Sequence, residues 1–286
     1  MEDTSQHEAV RIAIQGGFGA FHEIAATHYF NNENIEIIPR NTFKDLMKSL
    51  KERKAEYGIM AIENSIAGSI LPNYSLIKDS PMHIVGEIYL RIKQNLIALP
   101  GQKIEGITEV HSHPMAILQC QEFFDQYPWI KLIESLDTAI SAREISEKKL
   151  LRIGAIASTM AATKYKLEVM AEAIETNKMN YTRFLILKEN GGGPDISKVN
   201  KASVHFALAH RTGSLSKILS ILSYYDINLT KIQSLPIMGK DWEYQFYIDV
   251  IFTDYEWYKK SLVAIEPFTS ELGVLGEYEK GISVME

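Results

Sequence analysis

Arg11-Ile12-Ala13-Ile14-Gln15-Gly16-Gly17-Phe18-Gly19-Ala20-Phe21-His22-Glu23-Ile24-Ala25-Ala26 is the stretch on which the fold turns. A short apolar run, a glycine-rich break and a second apolar run at helical spacing predict a strand over 11–14, a tight turn and a helix from about Phe21 to Phe30. Working outward, Ile35–Pro39 reads as a strand. Asn41 or Thr42 then caps a helix Phe43–Lys51, whose Phe43, Leu46, Met47 and Leu50 fall on one face. Tyr57–Ile62 reads as a buried strand. Strands alternating with helices build βαβ units, hence a mostly parallel sheet covered on both faces.

The pattern restarts in a second α/β lobe over about 80–175. Ile84–Ala98 reads as extended, Val110–Ser112 as a short strand and Pro114–Tyr127 as a helix with proline in its first turn. Leu132–Ser135, a helix Thr138–Glu147, a strand Arg152–Ile156, a helix Ser158–Tyr165 and a strand Thr182–Leu187 follow. Gly191-Gly192-Gly193-Pro194 opens a linker over 191–200, because it frees and then stiffens the backbone without offering apolar side chains. Beyond it the order is strand Ala202–Ala209, helix Ser214–Tyr225, strands Asn228–Leu235 and Tyr244–Phe252, helix Tyr255–Ile265 and strand Val274–Tyr278. The fold class expected is a two-lobed α/β domain over 1–190 and a ferredoxin-like βαββαβ module over 201–286.

A chain of 286 residues, 46% hydrophobic and 23% charged, has the composition of a soluble globular protein of more than one domain. Its net charge of −6 offers no general attraction for nucleic acid or anionic membrane. The single cysteine, Cys120, cannot form an intramolecular disulfide, and no cysteine or histidine spacing suggests a metal site. The polar start Met1–Val10 and the absence of a long apolar run give no sign of export or membrane insertion, so a cytoplasmic location is expected.

Four segments can carry chemistry. Gly16-Gly17-Phe18-Gly19 joins a strand to a helix, so it either points free amides at an anion or is a plain turn. It is an incomplete dinucleotide fingerprint, with His22 at the third glycine position and Arg40, not an acid, ending the next strand. Glu63-Asn64-Ser65 follows a buried strand, and its polar groups either meet a ligand or cap the next turn. Ser112-His113-Pro114 repeats the arrangement before a helix N-terminus, with His113 a ligand contact or a structural histidine. Thr182-Arg183-Phe184 offers a planar donor fork to a carboxylate and a hydroxyl to a leaving oxygen.

Taken in order, Glu63-Asn64-Ser65 with Gly68, Ser112-His113-Pro114 through Gln119-Cys120, Asp137-Thr138-Ala139, Ala155-Ile156-Ala157-Ser158 and Thr182-Arg183-Phe184 resemble the motifs of prephenate dehydratases. Gly213-Ser214-Leu215 and Asn228-Leu229-Thr230-Lys231-Ile232 resemble the ACT domain that follows in that family. The resemblance implies a periplasmic-binding-protein-like catalytic domain that decarboxylates and dehydrates prephenate between its lobes without metal or organic cofactor. It implies Thr182 and Arg183 as catalytic residues, with Gly17, His22, Asn64, Ser65, Ser112, His113, Thr138, Ser158 and Phe184 contacting substrate. It also implies phenylalanine as effector at Gly213, Ser214, Leu215, Asn228 and Leu229, in a homodimer or homotetramer.

The chain departs from the family pattern twice. Ala20, Phe21 and His22 stand where a Thr, an aromatic and a Ser are usual, leaving His22 as the substitute donor. Gln233-Ser234-Leu235-Pro236 replaces Glu-Ser-Arg-Pro, which removes two charges and alters the expected phenylalanine response. Arogenate as substrate and a non-catalytic amino-acid sensor are the alternatives.

Overall fold

The computed structural model describes residues 8–31, 33–189, 193–237, 239 and 243–285. The expected linker glycines Gly191 and Gly192 lie outside the described residues. The chain divides into two compact units: Met1–Ile70 with Ile88–Phe184 and Ser283–Glu286, and Leu71–Glu87 with Leu185–Ile282.

In the first unit the opening alternation forms as written: β1 (Val10–Gln15), α1 (Phe21–Tyr29), β2 (Ile35–Arg40), α2 (Phe43–Lys51) and β3 (Tyr57–Asn64). β1 pairs in parallel with both β2 and β3, and its Ile12, Ala13 and Ile14 are fully buried. Thr42 is the cap of α2, accepting the Asp45 amide at 3.1 Å. In chain order β4 (Gly68–Ser69), α3 (Leu71–Lys78) and β5 (Met82–Arg91) follow, with α3 counted in the second unit.

The run expected as one extended piece, Ile84–Ala98, divides after Arg91, because β6 (Asn95–Ala98) belongs to another sheet. The break is held by Ile92 N–H on the Asn180 carbonyl (2.7 Å) and Gln94 N–H on Glu175 Oε2 (2.9 Å).

The second lobe contains β7 (Glu109–Ser112), α4 (Pro114–Gln119), α5 (Gln121–Phe124), β8 (Lys131–Glu134), α6 (Thr138–Lys148), β9 (Ile153–Ala157), α7 (Thr159–Lys164) and β10 (Glu168–Ala171). Its sheet runs β10-β6-β9-β7-β8, parallel among β7, β8 and β9 and antiparallel at β6 and β10. The helix expected over Pro114–Tyr127 breaks at Cys120 (φ −109°, ψ 9°). The Gln119 carbonyl accepts the Thr176 amide at 2.8 Å instead of continuing the helix, and Cys120 N–H turns back to the Ile117 carbonyl. The break leaves the Gln119 side chain at the head of the cleft between the lobes.

β11 (Tyr181–Glu189) returns to the first sheet, where it lies between β5 and β3 in the order β5-β11-β3-β1-β2 with β4 on β3 and β16 (Ser283–Val284) beyond β5. The short β16 pairs in parallel with Tyr89 and Leu90 of β5.

The second unit is built on β12 (Lys201–Leu208), α8 (Ser214–Tyr224), β13 (Asn228–Pro236), β14 (Tyr244–Ile251), α9 (Tyr255–Ile265) and β15 (Glu271–Tyr278). Its sheet order, β13-β14-β12-β15 with antiparallel neighbours, is that of a ferredoxin-like module. Phe206, Ile218, Leu222, Ile248, Val250, Tyr258 and Ile265 form its core.

Gly16 and Gly19 of the opening stretch both have positive φ and no room for a Cβ. Gly19 has φ +85°, and a Cβ there would lie 2.7 Å from Ala161 Cα on α7. Gly19→Ala is expected to cost about 1–3 kcal/mol of stability, through the left-handed backbone and the overlap together. Urea denaturation of the purified variant measures it.

Candidate active site

A cavity of about 380 Å³ opens between the two lobes of the first unit. Its wall is mostly apolar. Polar side chains on it are Gln15, His22, Asn64, Ser69, Gln94, His113, Gln119, Asp137, Thr138 and Thr182, and among the described residues no Lys or Arg lines it.

The β3 end and the β11 start meet on the wall in a dense hydrogen-bonded group. Asn64 Nδ2 faces three acceptors: Asn180 Oδ1 (2.7 Å), Thr182 Oγ1 (3.0 Å) and the Tyr181 carbonyl (3.2 Å). Its Oδ1 accepts the Ile66 and Ala67 amides, each at 2.9 Å. A carboxamide has two hydrogens, so the three acceptors share them. Because Thr182 Oγ1 accepts from Asn64, its own proton is left to be donated elsewhere. Asn180, fully buried, passes the chain on by donating to Gln119 Oε1 (2.9 Å) on the other lobe.

The glycine loop is gripped from the second lobe. Ser158 Oγ donates to the Gly19 carbonyl (2.6 Å), the Tyr165 hydroxyl donates to the Phe18 carbonyl (2.9 Å), and Lys164 pairs with the buried Glu23 (2.6 Å). Asp137 caps α6 through the Ala139 and Ile140 amides (2.9 and 3.0 Å), while Gly17 N–H lies 3.4 Å from the same oxygen. Burial raises the Asp137 carboxyl above its ordinary range, opposed by these amides and by nearby His113.

Of the residues singled out in the sequence, His22, Asn64, His113, Thr138, Thr182 and Phe184 come together on the cavity wall. Gly17, Ser65, Ser112, Ser158 and Arg183 are not on it. Ser112 and Ser158 are fully buried, bonded to the Ile156 and Gly19 carbonyls, so a hydroxyl at a strand end has been satisfied by backbone. Ser65 exchanges hydrogen bonds with Met179 and Tyr181. Arg183 follows the strand alternation: with Thr182 and Phe184 facing the cavity it points to the opposite face, 3.2 Å from Glu63 and over the Tyr89 ring. Its guanidinium is thereby engaged by Glu63 away from the cavity wall.

Sequence reasoning passed over Gln94, Gln119, Asp137 and Asn180 as site residues. Asp137 carried a signal, since an acid before Thr138 marks a helix cap. His113 does cap α4, accepting the Met115 amide at 3.2 Å.

His22 is buried, with its ring 4.9 Å from Phe184 and 5.7 Å from Phe43 between centroids, and its Nε2 has no hydrogen-bond partner. Burial holds it neutral, pushed down to about 3.

In the second unit Gly213 (φ +82°) precedes α8, which begins at Ser214 and Leu215. Leu215 lines a shallow hollow with Ser216, Leu219, Ser220 and Ser223, and Asn228 and Leu229 open the edge strand β13.

Two α/β lobes closing on a small cavity, with a bonded hydroxyl and amides on its wall, define a protein acting on one small polar molecule. The family model for prephenate dehydratase matches residues 12–191. Arogenate dehydratase 1 of Petunia hybrida is 35% identical over 94% of this chain and 66% of its own length. The bifunctional chorismate mutase/prephenate dehydratase of Aquifex aeolicus is 31% identical over 97% of this chain and 76% of its own. Among solved structures, the prephenate dehydratase of Arthrobacter aurescens in complex with L-Phe superposes with TM-score 0.86 at 25% identity, covering 95% of this chain and 90% of that one. A protein described as a quorum quenching acylase, GqqA, superposes equally well, with TM-score 0.86 at 26% identity, covering 94% and 98%. The chain belongs to the prephenate dehydratase family, whose enzymes are lyases of aromatic amino acid biosynthesis. Among the described residues no helix is long and apolar enough to cross a membrane.

The state of His22 has a consequence for acid stability. Between its ordinary value of 6.5 and about 3 the unfolded chain takes up a proton that the folded chain refuses. This group's contribution is therefore complete above the upper value and is lost as pH falls through the window. Replacing it, as in His22→Phe, is expected to flatten the fall in unfolding free energy between about pH 7 and about pH 4. Urea denaturation at the two pH values checks this, and equal slopes for both proteins contradict it.

Proposed function

We propose that this chain converts prephenate to phenylpyruvate, with Thr182 donating a hydrogen bond to the departing ring hydroxyl. The observation that carries this is the Asn64–Thr182 bond, which occupies an acceptor position of the threonine oxygen on the cavity wall and leaves its proton available for donation. A donor fixed before the reaction stabilises the developing charge on the leaving oxygen without reorganisation in the transition state. Overall, one proton is taken up, and the products are phenylpyruvate, carbon dioxide and water.

The substrate's side-chain carboxylate, retained in the product, is assigned to the start of α1. Ala20 provides no side-chain cap there, and the Phe21 and His22 amides are left to meet an anion, since the Glu23 amide bonds to the Ala20 carbonyl and the Glu23 carboxylate is paired with Lys164. Thr138, His113 and Gln119 supply further polar contacts across the cleft.

Arogenate is the second reading, supported by the carboxylate of Asp137 on a wall without Lys or Arg among the described residues, which suits an ammonium group. Turnover of the two substrates side by side separates them.

The second unit is proposed as an ACT-type sensor of phenylalanine, acting through Gly213, Ser214, Leu215, Asn228 and Leu229 in a homodimer or homotetramer of a cytoplasmic enzyme. Supporting this are the ferredoxin-like strand order, the exposed edge strand β13 with Ile232 45% accessible, and the L-Phe held by the Arthrobacter relative. Leu235 cannot make the polar contacts of an arginine, so binding is expected to survive with altered coupling to turnover. Calorimetric titration with phenylalanine beside a turnover assay tests the sensor. No heat and no change in rate up to millimolar ligand would overturn it.

Thr182→Ala is expected to lower turnover about a hundredfold or more, with Thr182→Ser retaining more activity. Asn64→Ala should also fall, because the hydroxyl loses its orientation. Formation of phenylpyruvate, followed by absorbance under saturating prephenate, reads all three.

A further inference from the structure

Most polar wall residues bind or donate; the aromatic end of the cavity does something else. Phe43 and Phe184 flank His22, and among the described residues no Lys or Arg lines the cavity. His22 is buried and kept uncharged by that burial, and among the described residues its Nε2 has no hydrogen-bond partner. Thr182 and Phe184 lie two positions apart on one strand face, about 7 Å by strand rise. That span is close to that of a six-membered ring together with its two opposite substituents, laid along the strand. With the ring hydroxyl at Thr182, the opposite ring carbon, which bears both the side chain and the ring carboxylate, falls at the His22–Phe43–Phe184 end.

We propose that the His22–Phe43–Phe184 cluster is the decarboxylation subsite, an uncharged wall of two phenyl rings and a neutral imidazole against which the ring carboxylate is desolvated and from which it leaves as carbon dioxide. This rests on the prephenate reading above. The bond between ring carbon and carboxylate breaks, and its electron pair enters the ring as a double bond. The carbon–oxygen bond at the opposite carbon breaks, and the hydroxyl departs with one proton as water.

The carboxylate's charge is concentrated in the ground state and dispersed in the transition state. Withholding water and fixed cations therefore raises the first more than the second. An arginine or lysine at this end would bind substrate better and react worse. The retained side-chain carboxylate has a different need, which the proposed reading assigns to the Phe21 and His22 amides at the start of α1.

The test places a cation beside the subsite. Phe43 is only partly buried, so Phe43→Arg can fold, with Phe43→Gln as the polar uncharged control. His22→Lys is a second cationic variant. Steady-state kinetics on prephenate and the carboxyl-¹³C isotope effect are measured for each. We expect the Arg variant to show a lower KM than the Gln variant, a kcat at least about tenfold below it, and a larger isotope effect, since the slowed step breaks the carbon–carbon bond. A structural role for Phe43 would lower both variants alike and leave the isotope effect where it was. Equal kcat in the Arg and Gln variants, or a smaller isotope effect in the Arg variant, overturns the proposal while leaving the prephenate reading intact. Absence of phenylpyruvate from the unaltered protein overturns both.

Discussion

Asn64 is the side chain on which the catalytic cleft depends. Its carboxamide ends β3, fixes the following turn through the Ile66 and Ala67 amides, and reaches across to three consecutive residues at the start of β11. Residues more than a hundred positions apart in sequence are thereby held in one hydrogen-bonded group, with Asn180 extending it to Gln119 on the other lobe. Removing a partner from such a network strands the others, so its cost exceeds that of one bond. The same group sets the direction of the Thr182 hydroxyl, linking the packing of the sheet to the proposed chemistry.

Charge is divided between structure and cavity. Cations near the cleft are engaged by carboxylates: Arg183 by Glu63, Lys164 by Glu23 and Arg91 by Glu175. What faces the cavity is amide, hydroxyl, imidazole and aromatic ring, with Asp137 as an acid already engaged by backbone amides. A reaction that loses charge from a carboxylate and gains it transiently on a leaving oxygen is served by a directed donor at one end and a dry wall at the other.

Much of this was legible in the sequence, for physical reasons that differ by element. The alternation from Arg11 to Ile62 matches β1 to β3 nearly residue for residue, because buried parallel strands and amphipathic helices have different periods. The βαββαβ order after the linker was equally plain. The helix from Pro114 failed at Cys120, since the competing partner for the Gln119 carbonyl is Thr176, a contact no local pattern records. Site residues fared by face. Thr182 and Phe184 were placed on the cavity, but Arg183 lay between them, and strand alternation sends it to the other side. Ser112 and Ser158 looked available because hydroxyls at strand ends often meet ligands; here each had a backbone carbonyl within reach. Asn180 was invisible, because its importance lies wholly in what it bridges.

In the proposed reaction the Thr182 hydroxyl, hydrogen-bonded by Asn64, meets the ring hydroxyl of the substrate. A crystal structure with a non-reactive prephenate analogue that keeps the ring hydroxyl and both carboxylates tests this most directly. The analogue is expected in the cleft of the first unit, with its ring hydroxyl in hydrogen-bond contact with Thr182 Oγ1 and the Asn64–Thr182 bond retained. An analogue bound with that hydroxyl away from Thr182 would contradict it.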